Sequence, residues 1–218
     1  MPGIVCLQGG GELTPACSDM DAAVLARVQG PVAVAALASP SGEGYRRSNA
    51  QGVSHFRRLG AEAFEVPDPR EEDLGRTLEG VGLVVLPGGS PARLLEALAS
   101  TGFGQALVEH VAAGGGVMGA SAGAMVLGSW TVVPDDAFRL AAGLGLAPGV
   151  VVVPHWNGPR ADWLKTLDAE VDNAQVLGIP EKSGILLENG QITALGRRAT
   201  RLVREGLDLG VGRTIDLP

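Results

Sequence analysis

Short apolar runs alternate with segments of helical periodicity along most of the chain, and this alternation limits the fold more than any other feature. Each run is rich in β-branched residues and is bounded by Gly or Pro, as buried strands usually are. The runs are residues 4–7, 32–37, 63–66, 83–86, 116–118 and 150–153. The helical segments are residues 19–27, 46–59, 70–78, 92–98 and 104–112. Because each crossover returns the chain across the sheet, the pattern predicts a three-layer α/β fold, in which a doubly wound, mainly parallel sheet has helices on both faces.

Beyond Gly178 the sequence pattern changes, and apolar runs follow one another without helical segments between them. These runs are residues 185–187, 192–195 and 201–203. Asn189 and Gly190, between the first two runs, supply the positive φ angles of a tight hairpin turn. We therefore expect a C-terminal antiparallel meander at the edge of the sheet. The whole chain, residues 1–218, is within the usual size of one α/β domain.

Charge and hydropathy argue against two classes of partner. The formal net charge is −7 and no basic face is evident, so we expect no nucleic-acid partner. No apolar stretch reaches the roughly 20 residues that cross a bilayer, so we expect no membrane partner. The amino terminus lacks the basic region and cleavage pattern of a signal peptide, which indicates a soluble, cytoplasmic protein.

Residues that bind metals or form disulfides are sparse. Two cysteines are too few for a disulfide framework; Cys6 lies in an apolar run that suits a buried thiol, and Cys17 is a weak candidate for reactivity. The three histidines, His55, His110 and His155, are far apart and show no metal-binding spacing. We therefore predict no metal and no cofactor.

A serine lies between an apolar strand and an alanine-rich helical segment, in Gly119-Ala120-Ser121-Ala122-Gly123. At such a turn a nucleophile takes a strained backbone conformation, and small neighbours let the strand and the helix approach. The helix that follows directs N–H groups and a partial positive charge toward the Ser121 hydroxyl, so the Ala122 N–H is the natural donor to an oxyanion. The pattern alone fits a nucleophile elbow and a tight β-α turn equally well.

A second glycine loop, Pro87-Gly88-Gly89-Ser90, follows the strand predicted at residues 83–86. Open α/β sheets place their sites at the carboxyl edge of the strands, where this loop and the Ser121 turn both emerge. The N–H of Gly88 or of Gly89 is therefore a candidate for the second oxyanion donor. Taken alone, the two glycines are more typical of a flexible connection.

Histidine is the side chain best suited to act as general base for a serine nucleophile. His155 follows a predicted strand, whereas His55 and His110 fall inside helical segments, where a structural role is commoner. An acid must hold the imidazole in the correct tautomer, and the adjacent Asp135 and Asp136 lie between the nucleophile and the base. Aspartates in such turns also commonly cap the backbone.

Five motifs resemble, in order, those of the peptidase E and cyanophycinase group of serine peptidases, which have a class I glutamine-amidotransferase-like fold. They are Gly9-Gly10-Gly11-Glu12, Pro87-Gly88-Gly89, the Ser121 elbow, Pro154-His155-Trp156 and Gly178-Ile179-Pro180-Glu181. The resemblance covers nearly the whole chain and implies one such domain over residues 1–218. It implies a nucleophile at Ser121 and a base at His155, with Asp136 as the acid and Asp135 as the alternate. The glycine and Glu181 motifs add candidate substrate-binding residues at Gly10, Gly11 and Glu181.

The sequence departs from the family pattern in two loops. Members specific for amino-terminal aspartyl dipeptides have a longer basic loop after the catalytic histidine, whereas here Asn157-Gly158-Pro159-Arg160 leads quickly into a helical segment. Arg160 is still a candidate to bind a substrate carboxylate through two parallel hydrogen bonds. The glycine loop reads Gly88-Gly89-Ser90, a change that preserves backbone donation.

The resemblance implies a serine peptidase that hydrolyses dipeptides or short, acidic peptides through an acyl-enzyme. Its partner would be a small peptide substrate, and it would be a monomer or a homodimer. Two alternatives stay open: a cyanophycinase-type hydrolase of aspartyl-arginine polymer, and a catalytically silent relative that binds a small metabolite. Serine rather than cysteine at residue 121 argues against a glutamine amidotransferase proper.

Overall fold

The computed structural model describes residues 3–72, 78–133, 139–158, 167, 171 and 173–217. The helices in these ranges are α1 (Ser18–Leu25), α2 (Glu43–Arg58), α3 (Pro91–Ser100), α4 (Phe103–Ala112) and α5 (Ala122–Leu127), with a short 3-10 turn at Pro15–Cys17. The strands are β1 (Val5–Gln8), β2 (Val32–Val34), β3 (Ala63–Glu65), β4 (Leu83–Leu86), β5 (Gly116–Ala120), β6 (Gly128–Val133), β7 (Arg139–Ala142), β8 (Ala147–Val153), β9 (Gln175–Gly178), β10 (Ser183–Glu188), β11 (Gln191–Gly196), β12 (Thr200–Leu202), β13 (Leu207–Leu209) and β14 (Thr214–Asp216).

The larger of two sheets has eight strands in the order β14-β11-β10-β1-β5-β4-β2-β3. The five strands from β1 to β3 in this order pair in parallel, and the other three extend the sheet antiparallel beside β1. The prediction of an α/β fold with a large, mainly parallel sheet is confirmed. Leu86 in β4 lies opposite Gly119 in β5, so the two glycine-bearing turns leave the same edge of this sheet.

Side chains along the parallel strands alternate between two apolar clusters, one on each face of the larger sheet. On β1, Val5 and Leu7 belong to the larger cluster and Cys6 to the smaller one. The larger cluster takes in side chains of α3, α4 and α5, whereas the smaller one takes in Val24 of α1 and Phe56 of α2. Helices therefore cover both faces of the sheet, as the β-α alternation predicts.

A second sheet has six strands in the order β13-β12-β9-β8-β6-β7, and the sequence patterns did not predict it. In it, β8 lies parallel between β6 and β9. Val150 and Val152 of β8 belong to the larger apolar cluster, so the two sheets share one core. Val153 lies beside Gly178 of β9, so the loops that follow β8 and β9 begin next to each other.

The C-terminal strands divide between the two sheets. β10 and β11 form the predicted hairpin, in which Asn189 and Gly190 have φ angles of 51° and 77°. The expected antiparallel strands are present at the C-terminus, but the one that contains Arg201 and Leu202, β12, pairs antiparallel with β9 and β13 in the second sheet instead of continuing the hairpin. β14 occupies the edge position beside β11 instead.

Two elements are shorter in the structure than the sequence predicts. In each, a side-chain oxygen accepts a hydrogen bond from a backbone N–H in the segment where the element was expected to continue. The strand predicted to reach residue 37 ends at Val34, since the Ala36 N–H donates to Asn49 Oδ1 of α2 at 2.8 Å. In the helix predicted at residues 70–78, residues 70–72 and 78 lie in turns, and residues 73–77 lie outside the described ranges. There Asp68 accepts from the Arg70 N–H at 3.1 Å and from its guanidinium, which favours a turn over a helix.

α2 is the longest of the described helices, with 16 residues. It is strongly amphipathic, since its buried positions include Tyr45, Val53 and Phe56 while its arginines are on the outside or at its end. Within the described part of the chain, no helix has both the length and the apolar character needed to span a membrane.

Candidate active site

Ser121 stands at the junction of β5 and α5 in a strained conformation. Its φ and ψ angles are 50° and −112°, in a region that residues with a β-carbon rarely occupy. The close approach of strand and helix requires glycine on both sides: a β-carbon on Gly119 would lie 2.4 Å from Gly123 C, and one on Gly123 would lie 2.1 Å from Leu86 O. The Ser121 N–H donates to Gln8 O of β1 at 2.9 Å. The geometry is that of a nucleophile elbow.

His155 lies two residues beyond the end of β8, and its imidazole reaches Ser121. The distance from Ser121 Oγ to His155 Nε2 is 2.8 Å, a normal hydrogen bond. His155 also has a positive φ angle, 51°, and its N–H donates to Gly9 O at 2.8 Å. The second sheet therefore brings the predicted base to a nucleophile carried by the first sheet.

Glu181 lies on the other side of the imidazole. Its Oε1 is 3.1 Å from His155 Nδ1, and the two side chains are 56% and 42% exposed, so this end of the site is open to water. The sequence assigned Glu181 to substrate binding; the structure places its carboxylate where the orienting acid of a triad stands. The predicted acids, Asp135 and Asp136, lie outside the described residues.

The position of Glu181 follows from the pairing of β8 with β9. Because these strands are parallel and end together, the loop with His155 and the loop with Glu181 leave the second sheet side by side. One sequence signal bears on this role: Glu181 lies in a loop shortly after residues 175–178, a run too short to predict a strand by periodicity.

The loop that contains Gly9 and Gly10 is hydrogen-bonded to both the His155 loop and the Glu181 loop. Gly9 O accepts the His155 N–H at 2.8 Å, and Gly10 O accepts the Lys182 N–H at 2.7 Å, next to Glu181. Gly10 has a φ of 116° and lies against the imidazole, since a β-carbon there would be 2.3 Å from His155 Cε1. The predicted role of Gly10 and Gly11 in substrate binding stays a prediction, while the close approach shows that the imidazole occupies the space a side chain on Gly10 would need.

We expect Gly10→Ala to impair turnover more than it impairs folding. The added methyl group must displace the imidazole from Ser121, and a displacement of about 1 Å in a catalytic group costs on the order of a hundredfold in kcat. The matched control is Gly60→Ala, since Gly60 also has a positive φ, 86°, but has nothing within 4 Å of its β-carbon position. Gly10→Ala should lose kcat, whereas Gly60→Ala should retain it; equal kcat values would contradict the assignment.

The backbone N–H groups predicted to bind an oxyanion differ in whether they already donate a hydrogen bond to another residue. The Gly88 N–H donates to Glu12 Oε1 at 2.9 Å, a contact that the sequence did not suggest. Gly89, with a φ of 148°, has no hydrogen-bond acceptor for its N–H among the described residues. Ala122 is the first residue of α5, where helical N–H groups lack an acceptor within the helix. Gly89 and Ala122 therefore have N–H groups that stay available to a ligand among the described residues, whereas the N–H of Gly88 is occupied.

The remaining histidines lie in α2 and α4 and have structural partners. His55 is buried, and its Nε2 lies 2.7 Å from Asp21 Oδ2, while Gln8 Nε2 donates to the other carboxylate oxygen at 2.6 Å. His110 packs against the backbone at Gly116, and burial lowers the pKa of its imidazole. Neither ring contacts Ser121, so His155 is the base that the geometry supports.

Cysteine and metal chemistry have little support in the described part of the chain. Cys6 is fully buried, and burial also raises the pKa of the Cys17 thiol, which donates to Gly11 O at 3.3 Å. A raised pKa keeps Cys17 protonated at neutral pH and lowers its reactivity. The described residues contain no group of three or more side chains arranged to bind a metal ion.

A cleft of about 410 Å³ lies at the loops that follow β8 and β9. Trp156 and Pro180, the neighbours of His155 and Glu181 in sequence, form part of its wall. Arg198 and Arg201 also line it; Arg201 is paired with Asp208 at 3.1 Å, whereas the Arg198 guanidinium has no hydrogen bond or ion pair to another described residue. Arg160, the predicted carboxylate-binding residue, lies outside the described residues.

The chain is similar to known peptidases in sequence. The sequence profile of peptidase family S51 matches residues 41–195. Peptidase E of Streptomyces coelicolor is 32% identical over 155 aligned positions, which cover 62% of this chain. The chain spans the same share, 62%, of that curated relative's length.

The fold is also similar to those of two solved structures. A peptidase from an acI-B1 actinobacterium superposes with a TM-score of 0.84 at 23% identity, over 100% of this chain and 98% of the other. A putative peptidase E from Listeria monocytogenes EGD-e superposes with a TM-score of 0.67 at 19% identity, over 90% of this chain and 100% of the other. At these identities the structures bear on the fold alone. Because the family profile covers well over half of the residues and includes Ser121, His155 and Glu181, the chain belongs to peptidase family S51.

Proposed function

We propose that the protein is a serine peptidase that hydrolyses dipeptides or short peptides through an acyl-enzyme, with Ser121, His155 and Glu181 as its triad. The observation that carries the proposal is the continuous pair of hydrogen bonds from Ser121 Oγ through the imidazole to Glu181 Oε1, at 2.8 Å and 3.1 Å. Membership of family S51 supports the reaction class, since the family consists of peptidases by name.

Acylation follows from the direction of these hydrogen bonds. When His155 Nδ1–H donates to Glu181, the Nε2 lone pair is free to accept the Ser121 proton. Ser121 Oγ then attacks the scissile carbonyl carbon and the proton moves to Nε2. The C–N bond breaks, and the leaving nitrogen takes that proton, which releases an amine and leaves an ester on Ser121.

Deacylation repeats the same proton transfers with water. His155 Nε2 accepts a proton from a water molecule, whose oxygen attacks the ester carbon. The bond to Ser121 Oγ breaks, and His155 returns the proton to that oxygen. The products are the released carboxylic acid and free Ser121, so each cycle consumes one water molecule. The N–H groups of Gly89 and Ala122 would bind the oxyanion that forms in both halves.

The cleft lined by Trp156 and Pro180 supports a small peptide as substrate. Its volume of about 410 Å³ lies in the range that binds small molecules and does not suit a long groove. Arg198, whose guanidinium has no partner among the described residues, lines this cleft and would supply a positive charge to it. We therefore propose that Arg198, together with the predicted Arg160, binds a carboxylate of the substrate.

A fluorophosphonate probe and a dipeptide library test this proposal together. We expect the probe to label Ser121 and to abolish hydrolysis of the dipeptides, with products detected by mass spectrometry and acidic dipeptides among the best substrates. Failure to label Ser121, with no dipeptide cleaved, would favour a silent metabolite-binding protein. Release of aspartyl-arginine dipeptide from insoluble polymer, with no cleavage in the library, would favour the cyanophycinase alternative.

A further inference from the structure

We propose that Glu12 binds the free α-ammonium group of the substrate's first residue and so directs cleavage to the first peptide bond. The inference rests on the proposed function, because it assigns Glu12 a role only if Ser121 is the nucleophile. Glu12 belongs to the first glycine motif, which precedes residues 41–195, the segment that matches the family profile.

The Glu12 carboxylate is held beside the nucleophile by one oxygen. Oε1 accepts the Gly88 N–H at 2.9 Å, across 76 positions of sequence. A β-carbon placed on Gly88 would lie 2.8 Å from this oxygen and 3.1 Å from the Ser121 β-carbon. Oε2 has no hydrogen-bond donor among the described residues, so one oxygen orients the carboxylate and the other remains available to a ligand.

The backbone that carries Glu12 is fixed on both sides. Gly11 O accepts hydrogen bonds from the Thr14 hydroxyl at 3.0 Å and from the Cys17 thiol at 3.3 Å. Leu13, directly after Glu12, is buried in the smaller apolar cluster with a φ of 56°. Because a residue with a side chain keeps such a φ only when its surroundings impose it, the backbone position of Glu12 is set by the fold.

The charge on Glu12 is not neutralised by the described part of the chain. Neither Arg198 nor Lys182 forms an ion pair with it, although the Lys182 side chain passes over Gly11 with Cγ 3.2 Å from the β-carbon position there. Glu181, the other carboxylate of the site, is bound to His155. A carboxylate that is partly withdrawn from water and has no cation favours a cationic ligand, and an ammonium group supplies both charge and hydrogen-bond donors.

Only the first residue of a peptide carries an ammonium group close enough to its own carbonyl carbon to reach this carboxylate during attack. The α-nitrogen is two bonds from the carbonyl carbon, so a carboxylate that binds the ammonium must lie within roughly 5 Å of the carbon under attack. Glu12 Oε1 and the Ser121 β-carbon, at 2.8 Å and 3.1 Å from the same β-carbon position on Gly88, are neighbours, and we infer from this that the carboxylate is within reach of the ammonium. An internal residue would present an uncharged amide and further chain to the same carboxylate, which disfavours cleavage inside a polymer.

Matched substrates with and without the ammonium group test the inference. The substrate is the best dipeptide from the library, and its partner is the desamino analogue, which carries hydrogen in place of the ammonium and fits any space that the dipeptide fits. We expect the wild-type protein to prefer the free amine in kcat/KM by roughly tenfold to a hundredfold, the usual value of a hydrogen bond to a charged group. Equal kcat/KM values for the two substrates in the wild-type protein would overturn the inference without any variant.

Glu12→Gln then assigns the preference to one residue. Glutamine keeps an oxygen for the Gly88 N–H and loses only the charge, so kcat/KM should fall more on the free amine than on the desamino analogue, and the free-amine preference should fall to near one. Glu109→Gln, an exposed change on α4, is the control and should retain the preference. A Glu12→Gln variant that retains the preference would overturn the inference; a wild-type protein whose Ser121 resists the fluorophosphonate would instead overturn the proposed function.

Discussion

Ser121→Ala is expected to lower kcat by roughly 10⁴-fold to 10⁶-fold, the range seen when the nucleophile of a triad is removed. The reason is that alanine has no oxygen to form the acyl-enzyme, so only the oxyanion donors and the binding cleft remain to accelerate attack by water. The measurement is single-turnover hydrolysis of the best dipeptide, with fluorophosphonate labelling as an independent readout.

The Ser121→Ala variant should keep its fold, because the substitution removes a single oxygen from a half-buried side chain. Ser121 already adopts its φ of 50° with a β-carbon present, so alanine introduces no new backbone strain. Ser54→Ala on the exposed side of α2 serves as the control, and neither variant should lose much of its free energy of unfolding. A decrease in kcat of less than tenfold, with the fold intact, would show that Ser121 is not the nucleophile.

The parts of the site that the sequence could predict lie next to a glycine or proline that ends an apolar run. Ser121 and the Gly88 loop follow apolar runs that end in glycine, and His155 follows a run that ends in proline, so each could be placed at a strand end. Backbone strain at Ser121 also has a local cause, since the glycines on both sides are visible in the sequence. These signals depend on neighbours in the chain and need no knowledge of how distant strands pair.

The parts that the sequence could not predict depend on long-range pairing. Glu181 meets His155 because β8 and β9 are parallel neighbours with Val153 beside Gly178, and neither β9 nor the second sheet had a strong enough periodic signal. The Glu12 contact with Gly88 joins two loops that local patterns treat as separate. Adjacent aspartates between nucleophile and base were therefore the more visible candidates for the acid.

Glu181→Gln is expected to lower kcat by roughly a hundredfold to a thousandfold, somewhat less than the 10⁴-fold loss that follows when a buried triad acid is neutralised. The smaller value follows from exposure, because water already screens a carboxylate that is 56% exposed. Glutamine can still occupy the space beside His155 Nδ1, but it carries no charge to stabilise the imidazolium, and its amide N–H can hold the ring in the wrong tautomer.

The same assay distinguishes Glu181 from the acids that the sequence suggests. If Glu181 orients the imidazole, Asp136→Asn and Asp135→Asn should each retain kcat within a fewfold of the wild type, since a second carboxylate cannot occupy the same Nδ1 position. A large loss in Asp136→Asn, with Glu181→Gln nearly unaffected, would return the acid to Asp136 and leave Glu181 to substrate binding. A Glu181→Asp variant sharpens the comparison: it keeps the charge but withdraws it by one methylene, so its kcat should fall between those of the wild type and Glu181→Gln if distance to Nδ1 is what matters.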